Sequence, residues 1–258
     1  MKVINGIFLL MISAAASVSA QNVMTSSPYS MFGLGEINTG IYGSNAGMGG
    51  VSYGVRGKAL LNTDNPAALT GLDSIKLIVE TSGFLKNEYY SSNGSSNRAF
   101  TGNVSAFTLG GRIIPRWYVA VGLKPYTSVG YYFQTDQPLE GEPGTYYTST
   151  FEGSGGLSKV YLSNAVSLPY NFSLGVNTSF VFGNLKQSET QNSMSVSQTQ
   201  YMQQFYADFG LQYQRRLSKY HELTIGAIYG YKQKIKLDGT KLITTSLSET
   251  EQSKRKVT

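Results

Sequence analysis

Four stretches of this chain change character at every residue, apolar and then small or polar. In 171–183, Phe172, Leu174, Val176, Phe180 and Phe182 point one way, while Ser173, Gly175, Asn177, Ser179 and Gly183 point the other; Val181 alone breaks the small or polar face. In 117–133, Trp117, Val119, Val121, Leu123, Val129, Tyr131 and Phe133 share one side, against Tyr118, Ala120, Gly122, Lys124, Tyr126, Ser128 and Gly130. The same period runs through 204–214 and 223–234. A period of two is a strand with different surroundings on its two faces. Weaker alternation at 75–89, 100–114 and 158–168 brings the expected total to seven long strands.

The joints differ in length. Pro115-Arg116 and Pro169-Tyr170 are tight, whereas 90–98, 134–156 and 186–200 are long, polar and expected to be loops. Short turns at one end and long polar connections at the other are the layout of an outer-membrane barrel. The polar face supports that choice. Charged residues are only 14% of the chain, and the side opposite the apolar one is mostly Gly, Ser, Asn and Gln. A secreted sandwich, the alternative, places charge outward and bulky apolar groups inward. Here the apolar face carries aromatics near strand ends, such as Trp117, Phe133, Tyr229 and Tyr231, where a ring can sit half wet at a membrane interface.

Composition closes off several functions. No Cys excludes a disulfide framework, a thiolate metal site and a cysteine nucleophile. One His excludes a metal site needing two imidazoles. His221 itself lies in a polar turn, so no enzyme, no cofactor and no metal are expected. A net charge of +6 from scattered basic residues is a poor fit to nucleic acid.

Before the strands lie two other regions. Lys2, the apolar run from Val3 to Ile12, and the small residues Val18 and Ala20 form a secretory signal, with cleavage expected near Ala20 and export to the outer membrane. Residues 21–74 are Gly-rich and irregular, yet carry Tyr29, Met31, Phe32, Leu34, Ile37, Met48, Leu60 and Leu61. So many apolar groups argue for a segment packed against something. The expected domains are therefore a signal peptide at 1–20, a plug at 21–74 and a barrel wall at 75–258.

Asn45-Ala46-Gly47-Met48-Gly49-Gly50-Val51, followed by Asp64-Asn65-Pro66-Ala67-Ala68-Leu69, resembles the start of the long-chain fatty acid transporter family of outer-membrane proteins. The opening from Ser27 to Gly35 resembles that family's Bacteroidetes-type subgroup. The resemblance implies an N-terminal hatch inside a fourteen-stranded barrel, of which this chain would hold the first seven or eight strands. It implies passive uptake of fatty acids or similar small amphipathic molecules, with outer-membrane lipid and a hydrophobic ligand as partners. Some relatives in that family instead serve as scaffolds for protein secretion or surface assembly, which makes a protein partner the alternative. An interior test separates the two: an apolar pocket beside the hatch favours transport, and a sealed polar lumen favours a scaffold.

Candidate residues follow. Asn65, Pro66 and Ala67 match the hatch motif, and also read as a simple turn. Gly47, Gly49 and Gly50 read as close packing of hatch against wall, since no strand precedes them and no Lys-Ser/Thr follows. Pro125 lies inside the third strand, where it cannot donate to the ladder and forces a bulge or a gap. The resemblance makes Leu123, Lys124, Pro125 and Tyr126 a kink with a lateral opening; a strand end outside the membrane is the other reading. Lys124, Tyr126, Tyr206, Asp208, Lys232 and Lys234 fall on the expected lumen face, either to meet a carboxylate ligand or as solvated lining. A wall cut at half a barrel would be curved and half-closed, with residues 248–258 frayed. A complete eight-stranded barrel ending on 241–247 is the competing architecture.

Overall fold

In a computed structural model, the chain is described over residues 27–38, 43–73, 77–92, 95–138, 141, 144–191, 194–232, 237–245 and 248–257. It is an all-β protein, one antiparallel sheet curled into a half-barrel. The strands are β1 (Glu36–Ile37), β2 (Ile78–Ser92), β3 (Ser95–Ile114), β4 (Trp117–Pro138), β5 (Tyr146–Ser167), β6 (Phe172–Gln191), β7 (Met194–Arg216), β8 (Glu222–Gly230), β9 (Leu237–Thr245) and β10 (Ser248–Val257). Neighbours follow the chain from β2 to β7. β7 then pairs with β8 along its Asp208–Arg216 half and with β9 along its Met194–Met202 half. The sheet's path runs from β2 to β10 without returning on itself. Residues 248–257 are not frayed: β10 pairs with β9 from Ser248↔Thr245 to Val257↔Leu237. Nor do residues 241–245 bond to the first wall strand as a closed eight-stranded ring requires; they pair with β7 and β10.

The outward face is apolar because alternation leaves it no choice. Across four strands, Leu123, Val160, Phe180 and Phe205 stand in register, and Phe107 on β3 extends the row. Along β6 the apolar set runs from Phe172 to Phe182. At about 3.4 Å per residue and a tilt of about 45°, that run is roughly 24 Å tall, close to the apolar band of an outer-membrane barrel. No helix among the described residues is long and apolar enough to cross a membrane.

Three of the expected loops are strands instead. Residues 134–138 and 146–156 continue the β4–β5 hairpin, 186–191 and 194–200 continue β6–β7, and 90–92 and 95–98 continue β2–β3. The sequence is polar there, but Thr, Tyr and Val suit a pleated backbone and polar cross-strand pairs hold it. Thr148 Oγ1 donates to Asp136 at 2.7 Å and Tyr147 Oη to Gln137 at 2.8 Å, and the Thr190 and Ser195 hydroxyls meet at 3.1 Å. Polarity alone had suggested loops; it marks where these ribbons leave the apolar band.

Alternation also changes phase in β4. Pro125 pairs with Ser158 and Thr127 with Leu157, so Tyr126 is an inserted residue. Below this bulge the even positions Tyr118 and Ala120 face inward. Above it the odd positions do: Val129 is fully buried and Tyr131 nearly so, although simple alternation had placed both outward. Val181, the one break on the inner face of β6, is buried beside them with Leu157, Leu185 and Met202. A lower apolar cluster gathers Leu61, Leu69, Leu72, Tyr118, Ala120 and Ala165.

Leu162→Arg, on the outward band, is expected to destabilise the membrane-inserted protein by about 2–4 kcal/mol if it lies near mid-membrane. Thr190→Arg, on a polar ribbon, gives up the contact with the Ser195 hydroxyl and should cost no more than about 1 kcal/mol. Urea unfolding in lipid vesicles checks both.

Candidate functional site: a plugged lumen

The plug lies against the inner faces of β4 to β7, and its centre is the motif Asn65-Pro66-Ala67. Pro66 starts a 3-10 turn, Pro66–Gly71, because its fixed φ suits a first helical position and its missing N–H would have no partner there anyway. Asn65 caps the turn, its Oδ1 accepting from Ala67 N at 3.1 Å. Its Nδ2 donates to the Tyr53 carbonyl at 2.9 Å and reaches the Leu211 carbonyl on β7 at 3.3 Å. One buried side chain thus joins the turn, the preceding loop and the wall.

The wall is shaped to receive this turn. Gly175 and Gly210 are register partners on β6 and β7. A methyl added at Gly175 would collide with the backbone of Pro66 and Ala67, one at Gly210 with Asn65 and Pro66, and one at Gly226 with the Tyr53 carbonyl. Glycines in strands weaken them unless a close approach requires it, and here it does. Further bonds fix the plug: Thr70 to Ser173 at 2.7 Å, Asn177 Nδ2 to the Thr63 carbonyl at 2.7 Å, and Gln212 Nε2 to the Tyr53 carbonyl at 2.9 Å. Arg56 of the plug donates to Thr70 at 2.9 Å. Burial lowers its pKa, and nearby Glu222 pulls it back up.

Among the described residues, the expected close packing is not seen at Gly47 or Gly49. A methyl at Gly47 or Gly49 would meet nothing within 4 Å. Gly49 and Gly50 instead have φ of 66° and 83°, a conformation that glycine adopts freely where the chain turns out of the 3-10 segment Gly43–Met48.

Beside the plug is a cavity of about 530 Å³ lined by Asp64, Thr63, Lys124, Lys159, Asn177 and Asp208, among others. Its charges are paired. Lys124 Nζ lies 3.0 Å from Asp64 and 5.5 Å from the centre of the Tyr161 ring. Lys159 Nζ lies 3.8 Å from Asp208 and bonds to Tyr206 Oη. Ser163 donates to Asn177. Lys159, which sequence reasoning passed over, is therefore central here; its place on the inner parity of β5 was the available signal.

The other expected site residues divide. Tyr206 and Asp208 lie in the Lys159 cluster on the inner side of the sheet. Lys232 is exposed just beyond β8 and outside this cluster, and Lys234 lies outside the described residues, as does the expected cleavage near Ala20. Leu123, Lys124, Pro125 and Tyr126 sit at the bulge, where β3 and β4 part: their pairing ends at Phe107↔Leu123. Above that point β3 pairs, among the described residues, only with β2, and a second cavity of about 450 Å³ opens among Val104, Phe107, Leu123, Pro125, Thr127 and Leu157. His221 accepts or donates at 2.9 Å to Ser218 within an exposed turn.

A family model, BamG, matches residues 1–258. The chain belongs to the BamG family. That match overturns the resemblance to long-chain fatty acid transporters, which was carried by Asn45–Val51, Asp64–Leu69 and the opening from Ser27 to Gly35. With it falls the expectation of a fatty acid channel and of a hydrophobic ligand. BamG membership associates the chain with the outer membrane. No curated protein and no solved structure matches it.

Two substitutions test how the plug is held. Asn65→Ala removes the cap and two bonds, at about 1 kcal/mol each, for a loss on the order of 2–3 kcal/mol. Gly175→Ala should cost at least about 1–3 kcal/mol through overpacking. In both variants, limited proteolysis should cut within 52–55 at protease levels that leave the parent intact.

Proposed function

We propose that this protein is a plugged, non-transporting outer-membrane scaffold that works with the machinery assembling outer-membrane proteins. The match to the BamG family over the whole sequence carries this reading. The interior supports it. The cavity beside the Asn65–Ala67 turn is lined by paired charges and amides together with Val51, Tyr53 and Ile228, whereas the more apolar cavity lies away from that turn, at the β3–β4 cleft. The Lys124–Asp64 contact, 3.0 Å long with both side chains largely buried, ties plug to wall and has to part if the lumen opens.

The working surface is then outside the lumen. The β4–β5 and β6–β7 ribbons continue for several residues beyond the apolar band, with Tyr132, Tyr146 and Tyr201 exposed upon them. Tyrosine gives contact area at little entropic cost and is enriched at protein interfaces. Secretion through a signal at 1–20, and the absence of any covalent chemistry, belong to the same proposal.

The intact protein should co-purify with the outer-membrane assembly machinery from detergent-solubilised outer membranes, and it should resist alkaline wash. Replacing Tyr132, Tyr146 and Tyr201 together by Ser should reduce that recovery while leaving membrane insertion unchanged. Purified protein in vesicles should not speed entry of a fluorescent fatty acid. Faster uptake, together with no recovery of the machinery, would overturn the scaffold reading.

A further inference from the structure

One edge of the sheet is occupied for part of its length. β1 adds to β4 on the side away from β5, with Glu36↔Ser128 and Ile37↔Thr127 in antiparallel register. Asn38 N donates to the Tyr126 carbonyl at 2.9 Å. Two positions further up, the Ser30 hydroxyl fills in for a strand: Gly130 N donates to it at 3.1 Å, and it reaches the Gly130 carbonyl at 3.3 Å. Residues 126, 128 and 130 therefore turn their backbone groups to this edge. Alternation sends the groups of Tyr132, Gln134 and Asp136 the same way. Among the described residues, nothing bonds to them there.

Across the cleft, the Ser95–Ala106 part of β3 pairs, among the described residues, only with β2. Val104 N is satisfied by its neighbour's side chain, Asn103 Oδ1 at 2.7 Å. At the foot of the cleft, the Thr127 side chain is almost wholly buried, faces the 450 Å³ cavity, and its hydroxyl has no partner. Val104, Phe107 and Leu123 offer apolar surface at the same place.

We propose that the free edge of β4 from Tyr131 to Pro138, facing β3 across this cleft, receives an extended polypeptide segment of a partner as an added strand. β1 already uses this edge in the same way immediately below, so the guest continues an existing line of pairing. The guest alternates: residues facing in meet Tyr131 and Phe133, and residues facing out lie beside Tyr132, which is exposed. The inference rests on the scaffold reading and supplies the kind of contact that a partner makes.

The test uses the intact protein in detergent micelles and a ten-residue peptide of alternating Val and Thr with Lys at its ends. A second peptide carries N-methyl groups on alternate residues, which removes the hydrogen bonds of one edge. The plain peptide should bind saturably, and methylation should weaken it by at least about tenfold. Hydrogen exchange at the Tyr132, Gln134 and Asp136 amides should be fast without peptide and slow by at least about tenfold with it; Phe133 and Thr135, turned to β5, should be protected throughout. Tyr132→Pro, which deletes one edge N–H, should weaken the plain peptide with little change in unfolding. Equal affinity for the two peptides, no binding, or edge amides already protected before peptide is added would overturn the proposal. Because no assembly machinery is present, failure here leaves its co-purification unaffected, and failure of co-purification leaves the peptide result standing.

Discussion

A single backbone N–H that β4 lacks at Pro125 organises the upper half of the molecule. Below it, β3, β4 and β5 are three ordinary neighbours, and even-numbered side chains of β4 face the lumen. At Pro125 the ladder slips by one residue and the pairing with β3 stops. The slip turns Val129 and Tyr131 inward, which creates an upper apolar cluster with Leu157, Val181, Leu185 and Met202. That cluster in turn gives Met31 and Leu34 of the plug something to pack on. The parting from β3 frees the edge that β1 and Ser30 then cover. An unpaired edge invites unwanted pairing, and covering it from within the chain is one of the standard ways to manage that risk.

The plug depends on a second constraint, closeness of approach. A buried turn must satisfy its own polar groups, and Asn65 does so for the loop at Tyr53, the turn at Ala67 and the wall at Leu211. Those bonds are reachable only because Gly175, Gly210 and Gly226 have no side chains. The glycines that weaken the strands in isolation thus let each strand bond to something more than its neighbour. Charged and amide groups on either side then find partners in the plug, as Lys124 does with Asp64 and Asn177 with Thr63.

Much of this was legible in the sequence, and the failures have physical causes. Period-two alternation placed the wall strands and the inner face of β6, because burial on one side of a pleat leaves a direct imprint. It failed above Pro125, where one inserted residue inverts which side chains face in; the proline was visible, but its consequence for parity needed the pairing partner. The ribbons at 134–156 and 186–200 were read as loops because both of their faces are polar, and hydropathy cannot separate a solvated strand from a solvated loop. Asn65 was singled out by a motif, whereas the glycines that admit it are dispersed over three strands and meet only in space. Parity could place Lys159 on the inner face of β5, but its partners Tyr206 and Asp208 lie on β7 and meet it only in space. The fatty acid transporter resemblance failed because the Gly-rich segment and Asn-Pro-Ala report a way of seating a plug, and seating a plug does not specify what the protein does.

The arrangement of layers inside the half-barrel bears on that last point. Two apolar clusters, one around Leu69 and Tyr118 and one around Val129 and Leu157, lie on either side of a polar layer holding Lys124, Lys159, Asp64 and Asp208. An apolar solute moving along the lumen would leave one cluster, cross paired charges and enter the next. Each methylene placed against that layer forgoes about 0.8 kcal/mol of burial, and any displaced lysine or aspartate loses its partner. The layers are what a rigid interior needs: apolar contacts supply cohesion, and the buried polar network fixes how plug and wall meet. On the scaffold reading proposed above, a fixed interior holds the edge of β4 and the projecting ribbons in one geometry for a docking partner.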